Sequence, residues 1–171
     1  DIDTKHSIDI GFHHGESSKK LLKIFAGVLA FEPSREAINK ASKEIIRDSK
    51  LDLRNQAISD KDGISQLYLS ETSSGVSSLL SSAALHQSAV PVETVTLRDA
   101  LMSYREKDLS KIACIKIDVE GLECKILDQI STIGALRPTI LLSEFQDLKS
   151  TQGDLKKQLE IGFRAGYLCI I

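Results

Sequence analysis

Short apolar runs and amphipathic stretches alternate from one end of the sequence to the other. Residues 7–10 read as a buried strand, and Val-Leu-Ala-Phe-Glu at 28–32 reads as a second. Between them, residues 17–27 carry Leu21, Leu22, Ile24 and Phe25 on one side and Lys19, Lys20 and Lys23 on the other. That spacing predicts an amphipathic helix, and the lysines read as its solvated face. A longer helix is predicted over 34–49, with Ala37, Ile38, Ala41, Ile45 and Ile46 at helical spacing and Ser34 as its cap. Residues 51–58 give a third strand, 60–63 a turn, and 66–70 a half-exposed strand. Further strands are predicted at 92–96, 113–117, 138–143 and 167–171, and helices at 97–106, 119–133 and 152–165.

Repeated strand-helix units with short buried strands imply an α/β fold, a mainly parallel sheet with helices on both faces. Right-handed crossovers put the loops that follow the strands on one rim, where ligands bind near the reversal of strand order. A length of 171 residues fits one domain, and no repeat or linker divides residues 1–171. Residues 71–90 break the alternation: Ser73, Ser74, Ser77, Ser78, Ser81, Ser82 and Ser88 interrupt any apolar stripe. A loop of that length is read as a lid or substrate loop above the strand ends.

The candidate chemistry lies at the first two strand ends. Asp9-x-Gly11-x-x-x-Gly15 makes a strand, a tight turn and a helix start, with Ser17 as the expected N-cap. Glu32 follows at the end of the second strand, placed to accept both hydroxyls of a ribose. The dinucleotide fingerprint G-x-G-x-x-G shares this layout but is absent here, which counts against a nicotinamide oxidoreductase. An acid inside the turn repels a pyrophosphate and suits a cationic cofactor. S-adenosylmethionine carries an ammonium, a sulfonium and a ribose, and no phosphate. Asp9, Gly11 and Gly15 would then shape the pocket for its methionine part, with backbone groups of the loop and Asp9 receiving the ammonium. Ala57 and Ile58 would pack on adenine, with Ser59 or Asp60 meeting its amine.

Several stretches occur together in order: Asp9-Ile-Gly-Phe-His-His-Gly15, Phe31-Glu-Pro33, Asn55-Gln-Ala-Ile-Ser59 with Asp62-Gly63, Val95-Thr-Leu97, Ile115-Lys-Ile-Asp-Val-Glu-Gly-Leu-Glu123 and Pro138-Thr-Ile-Leu-Leu-Ser-Glu144. This set resembles the FkbM family of S-adenosylmethionine-dependent methyltransferases over roughly residues 7–145. The resemblance implies a Rossmann-like class I methyltransferase fold and O-methylation of a hydroxyl on a sugar, glycolipid or natural product. It makes the partner a small-molecule or glycan acceptor. Where the family pattern usually has smaller residues, this chain has Phe12-His13-His14, bulk expected at the cofactor or acceptor approach. Asp118, Glu120 and Glu144 would face the meeting point of methyl group and acceptor. Asp118 is the first choice for a general base, with helix N-cap as its structural alternative, and His13 or His14 is a second choice. The competing reading is a non-catalytic, degenerate module of a larger protein. The usual final antiparallel strand has no residues left to form it, and a terminal Leu-Cys-Ile-Ile edge calls for a covering element or further chain. The start at Asp1 rather than Met points the same way.

Charge and cysteine content narrow the classes. A formal net charge of -2 and 5% aromatic residues lack the basic footprint and stacking surface of a nucleic-acid enzyme. Cys114, Cys124 and Cys169 are odd in number and without C-x-x-C spacing, so they read as near-core thiols in a reducing, cytoplasmic setting. Four histidines without ligand spacing give no metal site, although Asp118, Glu120 and Glu144 together have the chemistry for a hard cation. No run reaches the roughly 18 apolar residues of a membrane span, and no secretory signal is visible.

Overall fold

Five parallel strands form the main sheet of the computed structural model, which describes residues 1–69, 79, 88–119, 121–144 and 154–167. The strands are β1 (His6–Ile10), β2 (Gly27–Phe31), β3 (Leu51–Arg54), β7 (Ile112–Ile117) and β8 (Ile140–Ser143), in the order β3-β2-β1-β7-β8. A smaller sheet has β4 (Ala57–Ile58), β5 (Gly63–Leu69) and β6 (Ser88–Val95), with β6 between β4 and β5. Helices α1 (Glu16–Leu21), α2 (Arg35–Lys40) and α3 (Lys43–Ile46) connect the first three strands. Helices α4 (Leu97–Met102), α5 (Glu123–Thr132) and α6 (Asp154–Arg164) belong to the second half. This is the α/β, Rossmann-like arrangement expected from the alternation. All pairings in the five-stranded sheet are parallel.

Strand alternation divides the core between the two sheet faces. Ile8, Ile10, Leu29, Phe31, Ile115 and Ile117 point to one side and meet Leu97, Leu101, Ile126 and Ile130 from α4 and α5. Val28, Ala30 and Cys114 point to the other and meet Leu21, Leu22, Phe25 and Ile45. Burying each large aliphatic side chain is worth about 1.5–3 kcal/mol, so the central strands hold the fold together. Order reverses at β1: the chain goes β1, β2, β3 outward to one side, then returns to β7 and β8 on the other. The crevice above that reversal is where this topology places a ligand.

Four elements depart from expectation. The helix over 34–49 is split, because Ala41 is extended and Ser42 caps α3 through Ile45 N–H. The strand over 51–58 breaks at Asn55, whose amide donates to the carbonyls of Glu32 and Pro33 at 2.9 and 2.8 Å. Such side-chain bonds compete with the ladder, and Ala57–Ile58 joins the smaller sheet instead. Ser17 is not the cap of α1; Gly15 occupies that position in the left-handed conformation. Asp118 is not the cap of α5, which starts only at Glu123. Gly121 has φ +113°, and the Glu123 carboxylate takes the N–H groups of Val119 and Gly121 at 3.1 and 2.9 Å. Most of the Ser-rich stretch, Glu120 and the terminal strand expected at 167–171, apart from Tyr167, lie outside the described residues.

Candidate functional site

A pocket of about 290 Å3 opens at the carboxyl ends of β1, β2, β7 and β8. Ile10 and Gly11 come from the first strand end, Phe31 and Glu32 from the second, Asp118 and Val119 from β7, and Glu144 from β8. Ala57, Ile58 and Leu67 of the smaller sheet form an apolar wall, and His13 reaches in from the loop. Three carboxylates and no lysine or arginine line it, among the described residues. Such a pocket favours a ligand carrying positive charge and hydroxyl donors.

The two loop glycines are required by geometry. Gly11 has φ +93°, and a Cβ there would lie 1.9 Å from the Asp118 carbonyl oxygen. Its own N–H and that of Phe12 donate to the Phe31 carbonyl, so the loop presses on both neighbouring strands. Gly15, φ +88°, stands away from the pocket, and a Cβ there would meet Phe12 at 2.6 Å and Ile45 at 2.8 Å. Phe12 is therefore core packing beneath the loop and adds no bulk to the ligand approach.

Glu32 is only 8% exposed and is held by the loop itself. Its Oε2 accepts the His13 backbone N–H and its Oε1 that of Ser34, both at 2.8 Å. Burial pushes its carboxyl up, against the lowering effect of those two bonds. Each oxygen keeps a further lone pair for a ligand. Ser34 also caps α2, as its position after Pro33 predicted.

Asp9 sits one layer below the pocket wall. It is fully buried, its Oδ2 accepts the Ser18 hydroxyl at 2.6 Å, and its Oδ1 lies 3.3 Å from Lys116 Nζ. Burial raises its carboxyl, opposed by Lys116 and Ser18. Asp9 is not among the residues that line the pocket, and its Oδ1 is buried without a hydrogen-bond partner among the described residues. His14 and Ser59 also stand outside the lining. His14 stacks on His13 with ring centroids 3.7 Å apart. Ser59 donates to Asp60, and its carbonyl accepts Gln129 Nε2. Asp60 pairs with Lys125 at 2.9 Å.

Asp118 and Glu144 follow Ile117 and Ser143, which are register partners on adjacent strands. Burial pushes the Asp118 carboxyl up, but a hydrogen bond with Glu144 and the Lys116 ammonium outweigh it and hold it below the ordinary range. The Lys116 ammonium lies 3.1 Å from Asp118 Oδ2. Burial, then the adjacent His14, lowers the His13 imidazole, which favours its neutral form. Sequence reading gave Lys116 no role. A lysine inside the apolar run Ala113-Cys-Ile-Lys-Ile117 was the available signal, because a charge in a buried strand needs a partner.

Sheet order, switch-point pocket and acid-lined strand ends define a Rossmann-like α/β protein with a crevice at the carboxyl ends of its strands. The profile described as methyltransferase FkbM domain matches residues 9–169, and the chain belongs to that family, whose activity is methyl transfer. No curated protein matches the chain significantly. Among the described residues, no helix is long and apolar enough to cross a membrane, and no group of three or more His, Cys, Asp or Glu is arranged to hold a metal ion.

Proposed function

We propose that this chain, as one methyltransferase domain, transfers a methyl group from S-adenosylmethionine to a hydroxyl oxygen of a sugar, glycolipid or natural product. The observation that carries the reading is the position of Glu32: a buried, loop-held carboxylate at the second strand end, beside the apolar wall of Ala57, Ile58 and Leu67. The donor set fits the cofactor's chemistry. Glu32 would accept the ribose hydroxyls, the apolar wall would take the adenine, and the acidic lining suits two positive centres. When bound, the sulfonium supplies a methyl group already activated for displacement.

The residues of this chain supply orientation and proton handling. Positioning of this kind is worth roughly 7–11 kcal/mol in well-oriented reactions. Asp118 at the pocket wall would take the proton of the acceptor hydroxyl, with His13 as a second base, a reading supported by their common place in the lining. The buried cysteines Cys114 and Cys124 fit a reducing, cytoplasmic setting.

Incubation of the chain with methyl-labelled S-adenosylmethionine and a panel of sugar and polyol hydroxyl acceptors tests the reaction. A labelled methyl ether supports it. Label confined to nitrogen or carbon acceptors would contradict it.

A further inference from the structure

Lys116 interrupts the apolar run of β7 with a side chain only 14% exposed. Its ammonium reaches three oxygens: Gly11 carbonyl at 2.7 Å, Asp118 Oδ2 at 3.1 Å and Asp9 Oδ1 at 3.3 Å. The Gly11 carbonyl accepts a hydrogen bond from it, and the two carboxylate oxygens lie at ion-pair distance. The partners come from three places: strand β1, the turn that follows it and the residue that follows β7. Asp9 and Lys116 are also register partners on adjacent strands.

Resting on the methyl-transfer reading above, we propose that Lys116 is a positioning residue that locks the glycine loop and the Asp118 carboxylate into one frame. The cofactor side and the acceptor side of the pocket are then set by a single buried cation. A simpler role would be to neutralise Asp9. Two of the three contacts go elsewhere, however, and the shortest goes to an uncharged carbonyl at the loop apex. Neutralising Asp9 does not require that bond. Removing it frees the Gly11 carbonyl beside the ligand, and removing the Asp118 contact frees the acceptor-side carboxylate. The charged and titratable groups facing this cluster are Asp9 on β1, His13 in the loop, Glu32 after β2, Asp118 after β7 and Glu144 after β8.

Two full-chain variants separate the roles. Lys116→Met with Asp9→Asn removes the buried ion pair together, and an amide at position 9 still accepts from Ser18. Lys116→Arg keeps the charge, but a planar fork cannot reproduce three divergent contacts. S-adenosylhomocysteine affinity is read by calorimetry, the Asp118 carboxyl by carbon-13 NMR titration, and folding by thermal melting. Positioning predicts that both variants melt cooperatively and bind about tenfold or more weakly, the scale of one lost charge-assisted bond. It also predicts that Asp118 titrates at higher pH in the double variant. Affinity equal to the unaltered chain in both variants, with Asp118 unmoved, would overturn the proposal and leave Lys116 as the neutraliser of Asp9. Should the double variant not fold, Lys116→Arg decides through its affinity. The titration uses no cofactor, so a failure of the unaltered chain to bind S-adenosylhomocysteine counts against the methyl-transfer reading and is distinguishable from failure of this one.

Discussion

The Glu32 carboxylate accepts the backbone N–H of His13 at 2.8 Å, tying the end of the second strand to the loop that leaves the first. The same carboxylate takes Ser34 N–H at the start of α2. One buried acid thus fixes two segments that border the ligand pocket. A pocket wall held this way is formed before the ligand arrives, which lowers the ordering cost of binding.

Gly11→Ala tests the close approach of loop and β7. The left-handed backbone alone costs about 1–2 kcal/mol, and a Cβ 1.9 Å from the Asp118 carbonyl oxygen forces the strand ends apart as well. The melting temperature should fall by at least about 4 °C, since each kcal/mol shifts a domain of this size by roughly 2–4 °C. An unchanged melt would contradict the packing described.

Ser18→Ala addresses the buried acid. Ser18 and Asp9 are both fully buried, and the hydroxyl donates at 2.6 Å. Losing a bond to a charged acceptor costs about 1.5–3 kcal/mol. Denaturant unfolding should show a lower midpoint with an unchanged slope. A midpoint within error of the unaltered chain would mean that Asp9 does not depend on this donor.

Asp118→Asn should show a pH-dependent cost. The folded value of Asp118 lies below its unfolded one, so its ionised form stabilises the fold above the ordinary aspartate value of about 3.9. That contribution is lost as pH falls through the folded value. The gap in melting temperature between the two proteins should therefore be wide at pH 7 and narrower below about pH 3.9. A gap of the same size at both would contradict the account.

Much of the site was legible because its chemistry is local. Gly11 and Glu32 sit at strand ends that a short apolar run defines, and Ser34 follows a proline. Ala57 and Ile58 line the pocket from a second sheet, which the strand expected over 51–58 does not reveal. Asp118 as a helix cap failed for a local reason: Gly121 has a positive φ, and the Glu123 carboxylate takes the N–H groups of Val119 and Gly121. The pairing of Asp9 with Lys116 was not legible in the sequence, because Lys116 lies far along the chain. Only the β1–β7 register brings the two together.

The most direct test of the account is calorimetric binding of S-adenosylhomocysteine to the unaltered chain and to Glu32→Ala, with folding of both checked by thermal melting. Binding that weakens by roughly tenfold to more than a hundredfold, the equivalent of about 1.5–3 kcal/mol, is the predicted result. Equal affinity for the two proteins would contradict the placement of the ribose on Glu32, and no binding by the unaltered chain would contradict the cofactor itself.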